Sequence, residues 1–78
     1  MKVPNEIRQM YTDAYNMLVD VYKEEDNLSL GGEEFFGRLL DRMKVVADKH
    51  NHPLANDLLL AAYDQADRLW KENHNAAP

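Results

Sequence analysis

Three histidines, fourteen carboxylates and no cysteine make up most of the reactive inventory of this 78-residue chain. His50 and His52 flank Asn51, and His74 stands near the C-terminus. A transition-metal site needs three or four ligands brought together from recognisable spacings. Two loop imidazoles with no helix-spaced partner do not supply that set, and an up-down-up bundle would carry His74 away from them. The residues read instead as two solvated loop imidazoles, with His50 at a helix end, where a cation offsets the macrodipole.

Paired acids could do acid–base work. Asp57 and Asp64 share a helix face, and Asp67 adjoins it. Asp64 precedes Arg68 by four residues and Asp67 precedes Lys71 by four, which makes them surface ion pairs. Inward acids of the di-iron kind would come with an E-x-x-H pattern, which is absent. Ser29 and Thr12 sit in no nucleophile elbow, and no glycine loop follows a strand. Gly31-Gly32 would offer backbone N–H groups to an anion, but Glu33-Glu34 would repel it, so a turn is the reading. No enzyme, cofactor or metal is expected.

Two other features point to binding. Arg38, Arg42, Val45 and Lys49 recur on one outer stripe of the second helical segment. Such a stripe either meets an acidic partner or a phosphate, or is a solvated face with local pairs such as Glu34–Arg38. Tyr11, Tyr15, Tyr22 and Tyr63 lie at the edges of apolar stripes, where a tyrosine buries its ring and keeps its hydroxyl wet. That placement suits a protein interface as well as the rim of a small core. Val19, Val45 and Leu60 each stand off the stripe of their own helix, one per helix.

The elements that must position these residues follow from periodicity. The first helix is expected over roughly 4–25, with apolar residues from Ile7 to Tyr22 on an arc of roughly 160°, wide enough to touch two neighbours. Glu24-Glu25-Asp26 opposes the macrodipole, so fraying and a loop through Asn27 to Gly32 are expected there. The second helix is expected over 33–50, with the stripe Phe35, Phe36, Leu39, Leu40, Met43, Val46 and Ala47. Gly37 interrupts it, read as a point of close helix packing. Asn51-His52-Pro53 breaks the chain, and Pro53 suits the first turn of a third helix over 53–73. A frayed tail over 74–78 completes a single helical domain, 1–78. Short connections make consecutive helices antiparallel, giving an all-α three-helix up-down-up bundle; the alternative is a core completed as a homodimer.

Bulk composition excludes several classes. Nine Lys and Arg against fourteen Asp and Glu leave a net charge of −5, unfavourable for nucleic acid. No apolar run approaches a membrane span, no secretory signal is visible, and the lack of cysteine favours a reducing, cytoplasmic setting. The expected function is that of a small acidic, non-catalytic module that occupies a partner protein as a stoichiometric inhibitor, immunity-type protein, regulator or adaptor. Its candidate contacts are Arg38, Arg42, Val45, Lys49, Tyr11, Tyr15, Tyr22 and Leu60. The alternative is a helical oligomer holding a small anion, such as a nucleotide, between subunits.

Overall fold

A computed structural model of the chain describes residues 1–74. Three helices follow one another: α1 (Asn5–Leu28), α2 (Gly32–His50) and α3 (Pro53–His74). Every pair of helices is in contact, and the bundle is elongated, 49 × 22 × 18 Å. Contacts of Asp13 with His50 and of Glu24 with Arg38 make α1 and α2 antiparallel. Trp70 meets Phe35 and Phe36, so α3 runs back along α2 and parallel to α1. This is the expected up-down-up bundle.

The helix ends show how the sequence sets the breaks. Pro4 precedes α1, and its carbonyl accepts the Arg8 N–H. Ser29 and Asn51 take left-handed backbone at the ends of α1 and α2, with φ of 50° and 37°. Their N–H groups donate to Glu25 and Ala47, closing the last turn of each helix. The left-handed geometry thus falls on Ser29, while Gly31 caps α2 in extended conformation and Gly32 is its first residue. At α3 the cap is His52: its Nδ1 accepts the Leu54 N–H at 3.0 Å, in the manner of an N-cap oxygen.

Four expectations change. α1 does not fray at Glu24 but continues to Leu28. Side chains from other helices meet its acidic end, Arg38 and Arg42 at Glu24 and His74 at Glu25, and the two arginines offset the unfavourable charge. Gly37 is exposed and a methyl group there would touch nothing within 4 Å, so close packing does not account for it. His50 is buried rather than solvated. The expected frayed tail began at 74, yet His74 still belongs to α3; 75–78 lie outside the described residues.

The core runs along the bundle through Met10, Ala14, Met17 and Val21 of α1, Phe35, Leu39 and Val46 of α2, and Ala55, Leu59, Ala62 and Ala66 of α3. The alanines of α3 let that helix approach the larger side chains of the other two. Leu30, in the first connection, also turns inward and is buried. The aromatic rings gather at the end nearest this connection. Phe35 stacks on Trp70 with centroids 4.8 Å apart and on Tyr22 at 6.2 Å, and Phe36 meets it edge-on at 5.0 Å. Among the described residues, no helix is long and apolar enough to cross a membrane.

Candidate protein-binding face

The two binding features expected from the sequence meet opposite fates. The cationic stripe of α2 turns toward α1. Arg38 and Arg42 both donate to Glu24, and Arg38 also reaches Glu34 at 2.9 Å. Glu34 first, and then Glu24, hold the Arg38 guanidinium firmly in its charged form. Lys49 pairs with Asp13 at 2.9 Å, on the oxygen that also accepts from Nε2 of His50 at 2.6 Å. Lys49, then His50, keep the Asp13 carboxyl below the ordinary aspartate value. A charge ladder therefore closes the α1/α2 seam, and its members face each other within the molecule.

Val45 and Leu60 remain outside, 67% and 62% exposed, but on different sides of α2. Val45 borders a shallow groove beside α1 with Asp20, Arg42 and Lys49, whereas Leu60 borders one between α2 and α3 with Met43, Lys44 and Asn56. These two residues do not form a common surface.

The tyrosines do mark one. Tyr11, Tyr15, Leu18 and Tyr22 follow one another at helical spacings of four, three and four, and so share a side of α1. That side faces α3, because Tyr22 lines a cavity together with Ala66, Leu69 and Trp70. Leu18 and Tyr22 are half-buried against the core, but Tyr11 and Tyr15 are 55% and 67% exposed. On α3, Leu54, Leu58, Ala61, Gln65 and Leu69 form the neighbouring strip by the same spacing rule, with its leucines half-buried and Ala61 and Gln65 exposed. No Lys, Arg, Asp or Glu interrupts either strip from Tyr11 to Tyr22 or from Leu54 to Leu69. Burial raises the pKa of Tyr22, whose hydroxyl has no hydrogen-bond partner among the described residues.

The geometry does not bring Arg38 and Arg42 together with Tyr11 and Tyr15 in one chain: the arginines border α1 from the α2 side and the tyrosines from the α3 side. Asp13, Glu24 and His50 do not stand out as site residues in the sequence, yet they organise the seam. The signal was present as spacing. Asp13 and Glu24 stand about three turns apart on α1, and Lys49 and Arg38 about three turns apart on α2, in reverse order, as an antiparallel hairpin requires. Among the described residues, no group of three or more His, Asp or Glu is placed to hold a metal ion.

No family model matches the chain, and no curated protein or solved structure does either. The functional reading therefore stands on these residues and their arrangement.

Proposed function

We propose that this chain is a small acidic, non-catalytic binding module that acts by covering the surface of a partner protein, as a stoichiometric inhibitor, immunity-type protein or regulatory adaptor. The observation that carries the reading is the α1/α3 face. Tyr11 and Tyr15 are more than half exposed in register with the half-buried Leu18 and Tyr22, beside an uncharged strip of α3. Uncharged centres rich in aromatic side chains are what protein interfaces use, because a large rigid ring is desolvated at small entropic cost. The net charge of −5 directs the module toward proteins with basic surroundings and away from nucleic acid. The absence of cysteine suits a cytoplasmic setting.

A homodimer would use the same face, with the second copy as the partner. The anion-binding alternative has less support, because a ligand on Arg38 or Arg42 would compete with Glu24 for both.

Site-specific photo-crosslinking tests the reading. A benzoylphenylalanine in place of Tyr15 is expected to link one protein in equimolar ratio. The same group in place of the exposed Asp41 on α2 should link none. Linkage of two copies of this chain from position 15 would identify the homodimer. Equal linkage from both positions, or none from position 15, rejects the α1/α3 face as the binding surface.

A further inference from the structure

The aromatic end of the bundle holds a cavity of about 200 Å³ between the C-terminal halves of α1 and α3 and the start of α2. Its walls combine two chemistries. Tyr22, Phe35, Ala66, Leu69 and Trp70 supply apolar surface. The consecutive carboxylates Glu25 and Asp26 supply negative charge, and no lysine or arginine lines the space. Asp26 forms no ion pair among the described residues, whereas Glu25 is engaged by His74 at 3.1 Å.

His74 displays the kind of group this environment favours. Its ring stacks on Trp70 with centroids 3.6 Å apart and planes 8° from parallel. Nδ1 contacts the Trp70 carbonyl at 3.0 Å and Nε2 contacts Glu25. A flat nitrogen heterocycle held between an indole face and a carboxylate is thus already part of the wall.

We propose that this cavity is a binding site for a small organic cation with an apolar body, an ammonium or guanidinium compound. Its charge pairs with Asp26, and its apolar part lies against Tyr22, Leu69 and Trp70. Two physical effects select that class. The aromatic and aliphatic walls favour an apolar body. Asp26, a lining carboxylate with no ion pair among the described residues, favours a cation over an anion. The volume matches roughly six or seven waters at ~30 Å³ each, which admits a fragment-sized amine or one long basic side chain. The inference is independent of whether the tyrosine face meets a protein.

Trp70 is the single tryptophan of the chain, so its fluorescence reports on the site directly. The full chain is titrated with phenethylammonium, with 2-phenylethanol as the neutral analogue and 3-phenylpropionate as the anionic one, and calorimetry is run in parallel. Saturable binding of the ammonium is expected, with the alcohol and the carboxylate at least about tenfold weaker, the loss of one charge-assisted hydrogen bond. The double variant Glu25→Gln, Asp26→Asn should lower ammonium affinity by about the same factor while leaving helix content unchanged. A parallel titration with the dipeptide acetyl-Leu-Arg-amide separates two sources of the same chemistry. Tighter binding of the dipeptide assigns the site to a basic side chain of a protein, and tighter binding of the amine assigns it to a free small molecule. No saturation with either cation, or equal affinity for the carboxylate, overturns the proposal.

Discussion

The two flanks of α1 are built from opposite chemistry. On the α2 side, Asp13 and Glu24 are each held by two basic side chains, Lys49 and His50 at one end and Arg38 and Arg42 at the other. On the α3 side the helix presents tyrosines and Leu18, and the ion pair there is Glu25 with His74 at the extreme end. The first flank is closed: its polar groups satisfy each other and fix the register of the hairpin. The second is unfinished, with two tyrosine rings left more than half in water. A charged stripe thus became an internal fastening and an apolar stripe became the outer surface, the reverse of what polarity alone suggests.

The largest expected effect breaks the closed flank. Asp13→Ala leaves His50 buried with no hydrogen-bond partner at Nε2 and frees Lys49. Denaturant unfolding should show a loss of about 1–3 kcal/mol, the cost of stranding a buried polar group. The same carboxylate sets an acid limit. Its pKa lies below the ordinary 3.8 in the folded state, so its contribution is complete above that value and is lost as the pH falls through the folded pKa. The wild-type protein should therefore lose stability in this acid range more steeply than Asp13→Ala. Parallel pH profiles of the two proteins would refute the pairing.

A gain of about 1 kcal/mol is expected on the open flank from Tyr22→Phe, which removes a buried hydroxyl without a partner and keeps the ring on Phe35. A destabilised variant would show that the hydroxyl is satisfied in solution. Back on the closed flank, Glu24→Gln should lower the melting temperature by a few degrees at low ionic strength. Glu24, Arg38 and Arg42 are each partly exposed, so salt screens them, and the difference from wild type should shrink at 1 M salt. A difference that salt does not change would assign the effect to packing.

The helices and most of the core were legible in the sequence because single-helix periodicity encodes them. Consecutive apolar residues were less so. In Met10-Tyr11, Ala14-Tyr15, Leu39-Leu40 and Leu59-Leu60, the first residue is buried and the second is exposed. Adjacent side chains diverge by about 100°, so both cannot point to the core centre, and an apolar letter count does not say which one wins. By pattern Leu60 reads as an outer residue, whereas Tyr11, Tyr15 and Leu40 fall within the apolar stripes. The ion ladder was hidden for a different reason. It depends on the offset between two helices, which no pattern within one helix contains. His50 beside a loop reads as solvated until Asp13, a full hairpin away in sequence, is placed against it.

The smallest expected effect on stability is the sharpest test of the comparison. Tyr11→Ser and Tyr15→Ser change residues that lie mostly in water, where substitutions cost within about 0.5 kcal/mol. Unfolding curves of the double variant should overlay those of the wild type. If the open flank is the binding surface, the same substitutions remove two aromatic anchors from it and should abolish capture of the protein that crosslinks from position 15. If instead the double variant unfolds as readily as Asp13→Ala, the two rings are part of the core in solution. The two sides of α1 would then differ in chemistry but not in role.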